Sequence, residues 1–253
     1  MRYLLLLLCA IGYSAESKFI GGSDLDRFVD ERLEFSLSFR NVPAAKALIW
    51  CQAPDDQHWL IRADVATKFW ADLVFPVDNR YQTFIDQENG QVLQTTKKIK
   101  QKNLKQEFIA LYDYRALQVH CSLEENWPIV DGLQTLFAMF YQLRGMDVAL
   151  EDSLYCVLDI ESQLWRVAGT VRPKEKNIGP NTRSPARDVV LEFHPLNELV
   201  PRKWKTDLLT NRFGRQGRLI VRLGPPPENL PLWLEIGGGT NPVSLKLLAR
   251  KKG

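Results

Sequence analysis

Apolar and polar residues alternate along most of this chain, with the spacing of β-strands. In Glu31–Phe39, for example, Leu33, Phe35 and Leu37 alternate with polar residues. A period of two is typical of a strand with one buried and one solvent-exposed face. Similar strand-like segments recur at residues 45–51, 59–65, 68–75, 80–86, 91–99, 107–112, 116–121, 153–161, 164–171, 188–193, 216–223, 232–236 and 243–248. Short strands at this spacing predict a mainly β fold, an antiparallel meander that closes into a barrel, a half-barrel or a sandwich.

The pair Asn89-Gly90 is the strongest turn signal between two of these segments. Both residue types tolerate the positive φ angles of a tight type I′ turn. The sequence therefore predicts a hairpin centred on this pair, between the segments 80–86 and 91–99.

Residues 131–144 break the alternation and predict one short central amphipathic α-helix. Their apolar residues recur at helical spacing: Leu133, Leu136, Phe137, Phe140 and Leu143. Asp131 is placed as an N-cap, Gln134 completes a capping box three residues later, and Gly145 suits the end of a helix. We expect this helix to plug or cover the sheet.

The N-terminus has the pattern of a secretory signal peptide, predicted over residues 1–17. Met1-Arg2 begins with a positive charge, an apolar run extends from Leu4 to Ile11, and small residues at Ala15 and Ser17 suit cleavage. The remaining residues, 18–253, are predicted to form a single β-rich domain without a transmembrane span. We expect the protein to be exported, to a periplasmic or extracellular location.

Charge and cysteine content narrow the function classes. The net charge of +3 is too small to indicate a nucleic-acid partner. Cys51, Cys121 and Cys156 follow the signal segment, and none belongs to a Cys-x-x-Cys pair. Their apolar surroundings favour buried inert thiols over a disulfide.

No motif in the sequence indicates catalytic residues, a metal site or a cofactor. His58, His120 and His194 are far apart and lack a ligand spacing, and a Gly-x-Ser-x-Gly elbow, a P-loop and a dinucleotide fingerprint are absent. Paired carboxylates such as Asp55-Asp56 are adjacent in sequence, so they point to opposite faces of a strand. Catalysis is therefore the less favoured class.

A run of lysines follows the predicted hairpin: Lys97, Lys98, Lys100, Lys102 and Lys105. Alternate members of the run would line one face of a strand. They could contact an anionic surface such as phospholipid head groups. The simpler interpretation is an edge strand that lysines protect from aggregation.

Aromatic residues suggest a second type of contact. Phe69 and Trp70 lie in a segment that is apolar on both predicted strand faces, so one face could line a cavity. Phe137 and Phe140 on the predicted helix are candidates for the same apolar ligand site. Packing in the core is the alternative, which we favour for Trp59, Trp165 and Trp233.

The order of these signals resembles an exported bacterial family, domain of unknown function 3108. The resemblance is carried by the opening segment at residues 30–37, by the helix start at residues 130–137 with Arg144 at its end, and by the closing segments at 219–222, 232–234 and 242–243. Thr135 and Phe137 depart from the family's Ser and Tyr. The resemblance implies an exported β-rich fold and supplies no reaction.

Three functions follow as hypotheses. The first is a non-enzymatic, β-barrel-like envelope protein that binds a lipid or other apolar ligand, or a segment of an envelope partner. The second is an enzyme acting on envelope polymers, with carboxylates assembled by the fold. The third is a structural or assembly factor that uses the basic strand.

Overall fold

A computed structural model describes residues 17–123, 125–174, 185–196, 205–237 and 242–253. Most of the predicted signal peptide lies outside the described residues, as does most of the Gly-rich turn at 237–242. The strands are β1 (Lys18–Phe19), β2 (Glu31–Phe39), β3 (Val42–Gln52), β4 (His58–Thr67), β5 (Asp78–Asp86), β6 (Val92–Gln101), β7 (Leu104–Asp113), β8 (Gln118–Cys121), β9 (Asn126–Pro128), β10 (Leu133–Thr135), β11 (Ser153–Ile160), β12 (Gln163–Pro173), β13 (Arg187–Pro195), β14 (Arg218–Leu223), β15 (Pro231–Ile236) and β16 (Val243–Lys252). The helices are a 3-10 turn (Asp26–Phe28), α1 (Phe69–Asp72), α2 (Leu136–Gly145) and α3 (Leu208–Gln216).

The sixteen strands of the described residues belong to one curved sheet. From edge to edge the order is β1, β11 to β16, then β2 to β9, with β10 also paired to β11. Neighbours along the chain pair antiparallel, whereas β1 and β10 run parallel to β11. The C-terminal strand β16 pairs with β2 from Val243↔Phe39 to Lys252↔Glu31, and this pairing joins the two halves of the meander. The prediction of a mainly β, barrel-like fold is confirmed.

The sheet is open between its two edges. Among the described residues, no backbone ladder pairs β9 with β10 or β11. Side chains connect the two edges there, because the Asp159 carboxylate accepts a 2.8 Å hydrogen bond from the Tyr112 hydroxyl and a 3.0 Å bond from Trp127 Nε1. We call this junction the seam.

The central helix α2 lies inside the curve of the sheet. Its residues from Ala138 to Arg144 are all buried, including the polar Gln142. The prediction of a central helix is confirmed, but its start at Asp131 is wrong. Gly132 has a φ of +70°, and Leu133–Thr135 form β10 against β11, so the backbone stays extended up to Thr135.

Three other local predictions are corrected. The segment 68–75 forms α1 and a turn instead of a strand. The Asn89-Gly90 hairpin exists, but its loop is longer than two residues: β5 ends at Asp86, and within the loop only Gly90 has a positive φ. The lysine-rich strand β6 pairs with both β5 and β7, so it is not an edge strand.

Among the described residues, two bidentate arginine–carboxylate pairs have both side chains almost fully buried. Arg144 on α2 donates to both oxygens of Glu31 on β2, at 2.6 and 3.1 Å. Arg222 on β14 donates to both oxygens of Asp188 on β13, at 2.7 and 2.8 Å. The first pair ties the interior helix to the strand that joins the halves of the chain.

Candidate functional site

The connection between β4 and β5 exposes four large apolar side chains. The exposed fractions are 85% for Phe69, 49% for Trp70, 78% for Leu73 and 71% for Val74. We call these four residues the apolar tip. Large apolar side chains that are clustered on a surface, and not scattered singly, mark interaction sites.

The apolar tip is held by hydrogen bonds at its base. Thr67 on β4 exchanges backbone and side-chain bonds with Val77, and its hydroxyl also donates to Asp72 at 2.7 Å. Lys68 N donates to Ala44 O on β3 at 2.9 Å, and Ala71 is buried beneath the tip. The apolar side chains are therefore presented by an ordered segment.

Basic residues lie beside the tip on the adjoining hairpin. Lys102 N donates to Pro76 O at 3.0 Å, and an isolated bridge pairs Val77 with Gln101. These contacts place the β6–β7 hairpin against the end of the tip segment. An open groove of about 490 Å³ begins there, lined by Asp78, Arg80, Lys98, Ile99, Lys100, Lys105, Gln106 and Glu107. We call it the basic groove.

The lysine run divides between the two faces of β6. Lys98 and Lys100 point outward into the basic groove, whereas Lys97 points inward. Lys97 Nζ lies 2.8 Å from Glu161 Oε1 and 3.9 Å from Asp207 Oδ2. Lys97 is therefore an interior side chain and does not face an anionic surface. The anionic contact stays a prediction for the other four lysines, Lys98, Lys100, Lys102 and Lys105.

Lys97 is the centre of what we call the interior polar cluster. Thr210 Oγ1 lies 3.1 Å from Lys97 Nζ and 2.8 Å from Asp207 Oδ2. The Tyr81 hydroxyl donates to Asp207 Oδ1 at 3.2 Å. Asp207 also caps α3, because its Oδ1 accepts from the backbone N–H groups of Leu209 and Thr210.

Burial and neighbouring charges shift several pKa values in the interior. Burial raises the pKa of the Asp159 carboxyl, and the hydrogen bonds from Tyr112 and Trp127 offset part of that rise. Burial alone would lower the pKa of Lys97, but the Glu161 and Asp207 carboxylates hold it above its ordinary value. Lys97 is therefore a charged, ion-paired group instead of a nucleophilic amine.

The cavity at this cluster is small. It measures about 40 Å³ and is lined by Lys97, Asp159 and Phe137, among others. Two further lining groups, the buried hydroxyls of Thr83 and Thr135, have no hydrogen-bond partner among the described residues. At roughly 10–15 Å³ per water, this space suits two to four water molecules. Ligand pockets measure about 300–1,000 Å³, so a lipid or a sugar polymer does not fit.

The predicted apolar ligand residues are not brought together. Phe69 and Trp70 lie on the surface, and neither lines the interior cavity. Phe137 packs on the Tyr81 ring with centroids 5.3 Å apart, and Phe140 is buried against Tyr141 at 5.6 Å. The signal for an exposed tip was present in the sequence, because six of the seven residues 69–75 are apolar, Asp72 being the exception, and one strand face cannot bury adjacent apolar residues together.

The remaining candidate chemistry is structural. Cys51, Cys121 and Cys156 are buried free thiols, and burial raises the pKa of Cys51 and of Cys156 to about 12. Within the described residues, no group of three metal-ligating side chains occurs. In the same ranges, no helix has the length and apolar character that crossing a membrane requires.

The sheet order and the interior helix define a β-barrel-like protein. A crystal structure of a β-barrel-like protein of domain of unknown function 1849, from Brucella abortus, is similar to it with a TM-score of 0.59. The match covers 89% of this chain and 98% of that chain at 12% sequence identity, which supports a shared fold alone. No protein-family model and no curated protein matches this sequence.

Proposed function

We propose that this protein is an exported, β-barrel-like protein of the cell envelope, related to the domain of unknown function 3108 family, that binds a lipid bilayer surface through the apolar tip. The observation that carries the proposal is the exposure of Phe69, Trp70, Leu73 and Val74 on one ordered segment. It is a non-enzymatic role, in which the protein acts through its surface.

The composition of the tip fits a bilayer interface. Trp70 combines a large apolar ring with an N–H donor, and such side chains concentrate at the boundary between lipid and water. Each fully buried side chain of this size contributes about 1.5–3 kcal/mol, so four of them can supply a useful affinity. Lys68 and Lys102 lie next to the tip, where an ammonium group can stay at the head-group level.

The interior polar cluster supports neither the carrier hypothesis nor the enzyme hypothesis. A carrier needs a chamber of ligand size, and the cavity at the interior polar cluster is about 40 Å³. The carboxylates of Glu161, Asp207 and Asp159 at this cluster are all buried, so they do not form an open cleft for a polymer. Surface binding uses the features that the fold leaves exposed.

The test is co-sedimentation of the mature chain with vesicles of phosphatidylcholine containing 30% phosphatidylglycerol. We expect the parent protein to bind and the double variant Phe69→Ser/Trp70→Ser to bind at least tenfold more weakly, because about 1.4 kcal/mol corresponds to tenfold. A matched control, Leu117→Ser/Leu150→Ser, changes two exposed leucines outside the tip segment.

Three results would count against the proposal. The parent protein could fail to bind vesicles, the tip variant could bind as the parent does, or the control could lose binding equally. The tip could instead bind a soluble apolar ligand or a partner segment and not bind vesicles. That result would support the carrier or the partner-binding function.

A further inference from the structure

The basic groove carries an excess of positive charge next to the apolar tip. Its cationic side chains are Arg80, Lys98, Lys100 and Lys105, and its carboxylates are Asp78 and Glu107, so the net charge is +2. The groove lies on the outer face of β5, β6 and β7. It therefore faces solvent, and Asp78 at its edge follows the tip segment along the chain.

Of the two carboxylates of the groove, Glu107 lies away from the β6–β7 hairpin turn, whereas the Val77–Gln101 bridge places Asp78 next to Lys100. Glu107 pairs with Lys98 at 3.1 Å, and Asp78 lies 4.0 Å from Arg80. Among the described residues, neither Lys100 nor Lys105 has a carboxylate within ion-pair distance. Two ammonium groups, those of Lys100 and Lys105, therefore share the end of the groove nearest the hairpin turn with the single carboxylate of Asp78.

Lys100 and Lys105 lie directly opposite each other on β6 and β7. Like charges at directly opposed positions of an antiparallel pair are destabilising, because their Cβ atoms are only about 4.5–5.5 Å apart. An anion between the two ammonium groups would remove that repulsion. The pair lies one residue from the Val77–Gln101 bridge, at the base of the tip segment.

We propose that Lys100 and Lys105 form a subsite for the phosphate of an anionic phospholipid head group. This inference rests on the proposed function, since the apolar tip brings the bilayer surface to the groove. The tip supplies attachment to lipid of any head group, and the lysine pair supplies the preference for anionic lipid. Basic residues near an anionic membrane surface strengthen binding roughly fivefold each, and salt screens the effect.

The experiment compares two vesicle types, phosphatidylcholine alone and phosphatidylcholine with 30% phosphatidylglycerol. Its readout is the ratio of the two affinities at low and at high salt. We expect the parent protein to prefer the anionic vesicles at least tenfold. Lys100→Glu/Lys105→Glu should abolish this preference and retain binding to phosphatidylcholine. The control Lys251→Glu/Lys252→Glu makes the same change in net charge at two exposed lysines on β16 and should keep the preference.

The outcomes separate the two proposals. An unchanged preference in Lys100→Glu/Lys105→Glu, or an equal loss in the control, would overturn the head-group subsite and leave the tip as the membrane contact. A parent protein that binds neither vesicle type would overturn both. Loss of binding to both vesicle types only in Phe69→Ser/Trp70→Ser would support the tip independently of the lysines. Both lysines are exposed, so thermal unfolding should show the charge variants to be folded.

Discussion

Asp159 is a buried carboxyl that bonds across the seam to Tyr112 and Trp127. Its pKa is raised mainly by burial, whereas an aspartate in the unfolded chain titrates near pH 3.9. Between these two pKa values the folded state holds a proton that the unfolded state has released. The stability that this group contributes therefore falls as the pH rises through that window, and it stays low above it.

From this sign we expect Asp159→Asn, which cannot ionise, to gain stability relative to the parent protein between about pH 4 and pH 7. Urea unfolding at both pH values measures the difference. The control is Asp113→Asn, because backbone N–H groups of Ala116 and Arg115 lower the pKa of exposed Asp113. That variant should show the opposite sign: its stability relative to the parent protein falls as the pH rises from below pH 4, and it changes little between pH 4 and pH 7. If both variants showed the same pH dependence of stability relative to the parent protein, the raised pKa of Asp159 would be contradicted.

Arg222 and Asp188 form a buried bidentate ion pair, and the guanidinium also lies 5.3 Å from the Trp233 ring centroid. Arg222→Met should lower the free energy of unfolding by about 3–5 kcal/mol, because it leaves a buried carboxylate without its main cation. Asp188→Leu/Arg222→Met should recover much of that loss, since two apolar side chains replace two charges. If the double variant is as unstable as Arg222→Met, shape and not charge determines the cost.

At the scale of single elements, α3 depends on its N-cap. Asp207 accepts hydrogen bonds from Leu209 N and Thr210 N, and the same carboxylate contacts Tyr81 and Lys97. Asp207→Ala should lower the free energy of unfolding by about 1–2 kcal/mol or more, measured by chemical denaturation. Asp207→Asn keeps an oxygen that can cap the helix, so it should be closer to the parent. Equal losses in both variants would show that the charge matters more than the cap.

An element can be predicted from the sequence when its own residues determine its structure, and it cannot when a distant strand does. The alternation in Glu31–Phe39 follows from burial of one sheet face, so β2 is recognisable without a partner. The start of α2 is not, because Leu133–Thr135 are held extended by β11, more than twenty residues later. The strand prediction at 68–75 was wrong because that segment lacks a pairing strand of this kind in the described part of the chain. Among the described residues no strand forms a ladder with residues 69–75, and backbone bonds to the carbonyls of Lys68 and Ala71 close a short helix instead.

The candidate sites divide in the same way. Strand alternation places Lys97 and Lys98 on opposite faces of β6, but only the fold reveals which face is interior. Glu161 and Asp207 reach Lys97 from elements 64 or more positions away along the chain. The spacing of these residues along the sequence therefore does not predict the interior polar cluster. The apolar composition of the tip is visible in the sequence. The exposure of its side chains depends on where the sheet ends, which the sequence does not show.

For the whole molecule, the unequal closure of the sheet predicts unequal stability. The β16–β2 pairing runs along nearly the full length of both strands and joins the two halves of the meander. At the seam, by contrast, β9 has three residues and pairs with β8 alone among the described strands. Regions with few long-range backbone bonds open locally before the whole protein unfolds.

Native-state hydrogen exchange should therefore distinguish the two places. We expect amides of β2 and β16 to exchange only through global unfolding, and amides of β8 and β9 to exchange faster through local opening. Tyr112→Phe removes one hydrogen bond to the Asp159 carboxyl, which is worth about 1–3 kcal/mol. This variant should speed amide exchange in β8 and β9 by roughly tenfold or more. In β2 the exchange rate should rise only by the factor that the loss in global free energy of unfolding predicts. Tyr155→Phe, which removes a half-exposed hydroxyl on β11, serves as the control. If Tyr112→Phe raises exchange uniformly along the sheet, the seam is not a separate opening unit and the barrel unfolds as one.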